Sequence, residues 1–138
     1  MTPPPIRYQT DLHQIEPAQL SGFFEGWPSP PDAPTLRRIL EGSARFVLAV
    51  APNGEVVGFV NAISDGVLCA YIPLLEVKAQ WRGQGVATRL MQQLRDTLGD
   101  LYMIDTSCDD GLVPFYERLG MQRGNAMVLR NYARQNGR

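Results

Sequence analysis

The chain has 138 residues, of which 44% are hydrophobic and 20% charged. That length buries roughly two-thirds of the unfolded surface around a core, with no need of disulfide or metal staples. The 13 basic and 14 acidic residues leave a net charge of −1, which speaks against a nucleic-acid partner. There is one histidine, His13, and the two cysteines, Cys69 and Cys108, stand far apart, so no metal-ligand spacing is present and no metal is expected.

Two cysteines make no disulfide framework. No apolar run approaches the roughly 20 residues of a membrane span, and the opening Met1-Thr-Pro-Pro-Pro lacks the pattern of a signal peptide. The expectation is a soluble cytoplasmic protein with no membrane partner, folded as one domain over residues 1–138. A nucleophile–histidine system would have to recruit His13 from a polar stretch without a nucleophile motif. Any chemistry therefore falls to carboxylates, hydroxyls, backbone dipoles or a cosubstrate.

In chain order, Pro3 to Pro5 form an extended arm and Ile6 to Thr10 a short strand. Pro17 to Trp27 reads as a helix, with Leu20, Phe23, Phe24 and Trp27 at helical spacing. Pro28, Pro30, Pro31 and Pro34 impose a loop. Asp32 or Thr35 then caps a helix through Leu36, Ile39 and Leu40 that stops at Gly42. The period changes at Arg45 to Ala51 and Glu55 to Ser64, two β-rich runs joined through Pro52-Asn53-Gly54, a strong hairpin signal. Val67 to Lys78 is a third strand of this group, with an irregularity at Pro73, which cannot donate to a ladder. A long helix follows from about Gly85, with Val86, Leu90, Met91, Leu94 and Leu98 on one face and Gly99 as its stop. Leu101 to Cys108 is a strand. Asp109 or Asp110 caps a short helix closed by Gly120, and Ala126 to Asn131 is a last strand. From Met121 the chain carries four arginines and no acid, read as a solvated end. Hairpins come first, then one right-handed strand–helix–strand crossover with its two strands parallel.

The segment Glu76-Val-Lys-Ala-Gln-Trp-Arg-Gly-Gln-Gly-Val-Ala-Thr88 runs strand, turn, helix. Gly83 and Gly85 remove Cβ atoms where the backbone bends, so an anion can approach the main chain. The amides from about Arg82 to Thr88 point outward at the positive end of a helix dipole, an arrangement suited to phosphate. Arg82 and Lys78 add charge at its rim. The turn lacks the Gly-Lys-Ser/Thr of a P-loop and the third glycine of a dinucleotide fingerprint.

Gln80-x-x-Gly83-x-Gly85, overlapping Arg82-x-x-Gly85-x-Ala87, resembles the acetyl-coenzyme A motif of the GCN5-related N-acetyltransferases (GNAT). Pro114-Phe-Tyr-Glu-Arg-Leu-Gly-Met121 is similar to that family's Phe-Tyr-Glu-x-x-Gly-Phe segment, one strand and helix later. The resemblance covers nearly the whole chain and is loosest before residue 44. It implies an α/β fold: a mixed, mostly antiparallel sheet with one parallel, splayed strand pair, flanked by about four helices. It also implies acetyl-CoA as cosubstrate, its pantetheine arm paired with backbone near Leu75 and Val77. The turn Arg82, Gly83, Gln84, Gly85, Val86, Ala87 and Thr88 would hold the pyrophosphate.

The same resemblance makes Tyr116 the donor of a proton to the leaving thiolate. A phenol of pKa near 10 can serve a thiolate whose acid has a pKa near 8.5 when the site favours it; packing in a short amphipathic helix is the other reading. Glu76 interrupts an apolar run at the strand end and is a base, a substrate anchor or a solvated residue. Tyr71 is a polar candidate near the cleft. Asp109 stands where many members have Asn contacting the cofactor, and as a helix N-cap it has a simpler role. Cys108 ends the strand bordering the cleft, without a partner histidine. Trp27 and the Pro28 to Pro34 loop are placed to shape an acceptor pocket. The implied reaction is direct acetyl transfer to a primary amine, a small molecule or a peptide, and a homodimer is admitted. The alternative of another class is a non-catalytic nucleotide- or CoA-binding regulatory module.

Overall fold

A computed structural model of the chain describes residues 5–138; Pro3 and Pro4 of the expected arm lie outside them. Six strands form one sheet: β1 (Arg7–Gln9), β2 (Arg45–Val50), β3 (Val56–Ser64), β4 (Cys69–Ile72), β5 (Leu75–Val77) and β6 (Met103–Thr106). Their order is β1-β2-β3-β4-β6, with β5 paired to β3. The three α-helices are α1 (Ala33–Glu41), α2 (Val86–Leu98) and α3 (Val113–Arg118). All pairings are antiparallel except β4 with β6, which runs from Cys69 opposite Met103 to Ile72 opposite Thr106. This is the mixed sheet with one parallel pair that the sequence predicts, with three α-helices rather than about four.

The near-continuous apolar runs of β2 and β3 have a direct cause. Both strands are covered on both faces. Val47, Ala49 and Val60 face Leu90, Met91 and Leu94 of α2, while Leu48, Val50, Val56 and Phe59 face Leu36 and Leu40 of α1. Asp32 starts α1 as predicted, its carboxylate accepting the Thr35 N–H at 2.9 Å. Gly58 lets α2 settle onto the sheet: a Cβ there would lie 3.1 Å from the Glu76 carbonyl and 3.2 Å from Leu90 Cδ1.

The expected strand from Val67 to Lys78 is broken in two at Pro73. Ile63 pairs with Tyr71 and Val60 with Leu75, so Asn61 and Ala62 oppose the three residues Ile72, Pro73 and Leu74. That is a bulge. Proline has no N–H for the ladder, and the Asn61 N–H donates to the Leu74 carbonyl instead, at 3.2 Å. Past this point β5 stays with β3 while β6 ends at Thr106, and the two diverge.

Two expectations fail. Pro17 to Trp27 is not an α-helix. Only Pro17–Leu20 is helical, as a 3-10 turn, and Gly22, Phe24 and Gly26 all adopt positive φ, which an α-helix cannot accommodate. Leu20 and Phe24 are nevertheless buried beneath α1, so the helical spacing satisfies a core through an irregular chain. Ala126 to Asn131 forms no strand; it borders the same groove as β6 but makes no backbone hydrogen bond to it. Among the described residues, no helix is long and apolar enough to cross a membrane.

Candidate active site

A cleft of about 610 Å³ lies beside β5. Leu75, Glu76 and Val77 of β5 form one wall, the turn into α2 forms the floor, and Leu112, Phe115, Tyr116 and Arg118 close the far side. Gly85 is the N-cap of α2 in left-handed conformation, and Gly83 is left-handed too. Among the described residues, and apart from its own chain neighbours, none has a heavy atom within 4 Å of where a Cβ would stand at either, so both face open space. The first backbone bond of α2 runs from the Arg89 N–H to the Gly85 carbonyl, at 3.0 Å. The amides of Val86, Ala87 and Thr88 are thus free of helical acceptors at the positive end of the dipole.

Of the residues singled out from the sequence, the cleft gathers Leu75, Glu76, Val77, Arg82, Gly83, Gly85, Val86, Ala87, Thr88 and Tyr116. Gln84 turns back, its side-chain amide donating to the Gln80 carbonyl at 3.3 Å. Asp109 takes the N-cap position before Asp110–Leu112, but its side chain makes no capping bond; its carbonyl accepts the Leu112 N–H at 2.9 Å. Tyr71 lines a separate cleft beside β6. Trp27 is exposed and packs on Phe24, ring centroids 4.9 Å apart.

Lys78 does not belong to the rim of the turn. Its ammonium pairs with Glu55 at 2.9 Å and sits 5.0 Å from the centre of the Phe23 ring, because successive side chains of an extended strand point to opposite faces. Arg82 stays at the rim, its Nε–H donating to the Val77 carbonyl and its second guanidinium nitrogen meeting Glu25, each at 2.9 Å. Leu112, Phe115 and Arg118 in the cleft were read from the sequence only as helix packing or not at all. Their spacing of three, on a short 3-10 and α-helical run, is the signal that groups them with Trp81 and Tyr116 around one cavity.

Glu76 is held with unusual care. Its Oε1 accepts the Phe24 N–H at 2.9 Å. Phe24 delivers that N–H from a φ of 67°, a strained value for a residue with a large side chain. Oε2 is buried and has no partner among the described residues. Burial pushes the carboxyl above its ordinary range, opposed by the Phe24 N–H and by Arg82, with Glu25 adding a smaller upward push. Glu76, Val77 and Arg82 also line a second cleft, of about 430 Å³, bordered by Ser21, Gly22, Phe23 and Glu25. These residues, rather than the proline loop, border it.

Tyr116 is only 8% exposed, held edge-to-face on Phe115 with centroids 5.0 Å apart. Burial raises its phenol above the ordinary value; Cys108 raises it further, the neighbouring Thr106 hydroxyl lowers it, and Tyr71 adds a small rise. Thr106 itself donates to the Ile72 carbonyl at 2.8 Å, at the point where the strands part. A phenol in this setting keeps its proton at neutral pH and can act as a donor.

A sequence model of the acetyltransferase (GNAT) family matches residues 12–121. The chain belongs to this family. A candidate acetyltransferase from Deinococcus radiodurans R1 is 60% identical, with 95% of this chain and 92% of that one covered and a TM-score of 0.94. A GNAT-family candidate acetyltransferase from Xanthomonas campestris pv. campestris is 19% identical over 97% of this chain and 99% of that one, with a TM-score of 0.77. Glucosamine-6-phosphate N-acetyltransferase from Arabidopsis thaliana is 17% identical over 92% and 98%, with a TM-score of 0.68. The last two likenesses concern the fold. No curated protein matches the chain. The GNAT match spans the glycine turn, Glu76 and Tyr116 and ends at Met121. Among the described residues, no group of three or more His, Cys, Asp or Glu side chains is gathered to hold a metal.

Proposed function

We propose that this GNAT protein transfers an acetyl group from acetyl-CoA to a primary amine. The observation that carries the reading is the placement of the groups. The glycine turn and Tyr116 share one cleft, and Glu76 stands where that cleft meets a second one beyond β5. The open space at Gly83 and Gly85 and the outward amides of Val86 to Thr88 suit a pyrophosphate. Trp81, Leu112 and Phe115 supply apolar walls for a pantetheine arm, and the backbone of Leu75 and Val77 offers it hydrogen bonds. Acetyl-CoA supplies a thioester already activated toward an amine, which is why one histidine and no metal suffice.

The chain's own groups handle the protons. An alkyl amine is protonated at neutral pH, with a pKa near 10. Glu76 Oε2, buried, unpartnered and more basic than an ordinary carboxylate, receives that proton directly or through water. Tyr116 gives its proton to the leaving thiolate. Holding both partners in register supplies the largest share of the rate. The acceptor is a small amine or a peptide amine, and the reaction belongs to the cytoplasm.

A thermal-shift comparison of acetyl-CoA, NAD and ATP tests the binding half. Acetyl-CoA is expected to raise Tm while NAD and ATP do not; selective stabilisation by NAD overturns the reading. A thiol-release screen over amines tests turnover, and stabilisation without release on any amine would instead make the chain a CoA-binding sensor. Glu76→Gln is expected to lower kcat by about 100-fold or more, the ordinary worth of a general base. The sign on pH follows from burial. Glu76 must be ionised to work and its pKa is raised, so kcat falls on acidification earlier than for an ordinary carboxylate. That acid limb disappears in Glu76→Gln, and a limb that persists unchanged takes the role from Glu76.

A further inference from the structure

Between Ser21 and Trp27 the chain takes left-handed residues in alternation: Gly22, Phe24 and Gly26, with φ of 89°, 67° and 84°. Glycine enters that region freely, whereas a residue with a Cβ does so at a cost. Phe24 is the member of the three with a side chain to strain. Among the described residues only Gln14, exposed in a turn, shares this conformation without being glycine. Strain of this kind persists where packing over-determines the backbone, and it collects at functional sites.

The packing at Phe24 is explicit. Its ring is buried and lies 4.9 Å from the Trp27 ring and 6.2 Å from the Phe59 ring, centroid to centroid. Rotation about the N–Cα bond is φ, so φ sets the angle between the N–H and the ring of one residue. With the ring seated in the core, a φ of 67° aims the N–H at Glu76 Oε1, 2.9 Å away. Phe59 stands opposite Glu76 in the β3–β5 ladder, so the ring that seats Phe24 neighbours the carboxylate that Phe24 holds. The next residue, Glu25, meets Arg82 at 2.9 Å, and the Arg82 Nε–H donates to the Val77 carbonyl at 2.9 Å. Phe24-Glu25 and Glu76-Val77 are thereby joined at both ends into a closed ring of contacts.

We propose that Phe24 is a positioning residue, whose backbone N–H holds Glu76 Oε1 and leaves Oε2 as the oxygen that takes the proton of the acceptor amine. The role rests on the proposed acetyl transfer with Glu76 as its base. A donor on one oxygen fixes the plane of the carboxylate and decides which oxygen faces the incoming amine. It also favours the charged form, which burial opposes. The charged and titratable groups around Glu76 leave that task to the N–H. Arg82 acts in the same direction but is solvent-exposed, and Glu25 opposes it. Lys78 and Glu55, on the second cleft, pair with each other at 2.9 Å. Tyr116 and Arg118 stand on the far side of the first cleft.

Phe24→Ala would open the core, so the discriminating replacement is the α-hydroxy acid of phenylalanine at position 24. It exchanges the N–H for an ester oxygen and keeps the ring. Circular dichroism and the KM for acetyl-CoA are expected to be unchanged. At neutral pH kcat is expected to fall about 10-fold, the worth of a hydrogen bond to a charged group, and the acid limb of kcat to move to higher pH. Phe24→Leu keeps the N–H but loosens its seat, and should move the limb the same way by a smaller step. In the Glu76→Gln background the ester should cause no further loss. A carboxyl-carbon NMR titration of Glu76 without acetyl-CoA reads the same upward displacement apart from turnover. A limb and an NMR midpoint that ignore the ester overturn the role, and so does an equal loss of kcat in the Glu76→Gln background. A parent protein that turns over no amine overturns the acetyl-transfer reading, and this role falls with it. A parent that turns over while its limb ignores the exchange overturns the role alone.

Discussion

Tyr116→Phe is expected to lower kcat by about 100- to 1,000-fold, within the usual worth of a positioned acid, while acetyl-CoA affinity changes little. The substitution removes one oxygen and keeps the ring, so the edge-to-face contact with Phe115 survives and Tm should stay close to that of the parent. What it removes is a proton donor whose pKa burial has raised above the ordinary phenol. The sign is favourable: the group is needed protonated, and the shift keeps it so throughout the neutral range. A second measurement separates donation from packing. With an aromatic thioester, whose leaving thiolate is stable without a proton, the loss should shrink severalfold. Unchanged kcat with acetyl-CoA, or an equal loss with both thioesters, would take Tyr116 out of this role.

Gly85→Val is expected to abolish the thermal shift caused by acetyl-CoA while leaving a folded protein. Gly85 has a φ of 82°, and a residue with a Cβ pays about 1–2 kcal/mol in that region. For a chain of this size that lowers Tm by roughly 3–10 °C. Among the described residues beyond its chain neighbours, none lies within 4 Å of the new Cβ, so the fold tolerates it, but valine would fill the space that the proposed pyrophosphate needs beside the amides of Val86 to Thr88. Acetyl-pantetheine, which lacks the pyrophosphate, provides the contrast. The variant should bind it as the parent does and lose only the advantage of the full cosubstrate. A variant that keeps the parent's acetyl-CoA affinity contradicts the pyrophosphate assignment.

Much of the fold was legible because local rules and packing agreed. Asn53-Gly54 between two β-branched runs, the Asp32 cap, and the apolar face of Val86 to Leu94 each named an element that forms where expected. The irregularity at Pro73 followed from a missing N–H. Pro17 to Trp27 misled because its apolar spacing is genuine. Leu20 and Phe24 do reach the core, but through a chain kinked at Gly22, Phe24 and Gly26, and side-chain spacing alone does not report φ. Ala126 to Asn131 misled for the opposite reason. Its composition suits a strand, yet pairing depends on how the rest of the chain places it, and it makes no backbone hydrogen bond to the β6 edge across the groove.

The site divides in the same way. The glycine turn and Tyr116 were visible as residues because their chemistry is local: a bend without Cβ atoms, and a hydroxyl on a short helix. Lys78 was misplaced, since one residue along an extended strand moves a side chain to the other face. By itself the sequence determined which groups were available, namely a glycine turn at a helix start, a phenol and a carboxylate in an apolar run. Tertiary structure alone decided what they became. The bulge at Pro73 parted β5 from β6, the buried Phe24 backbone turned its N–H onto Glu76, and burial moved the carboxyl and the phenol upward together. Those effects arise between segments up to 52 residues apart, where desolvation and geometry are properties of the packed chain and not of any stretch of it.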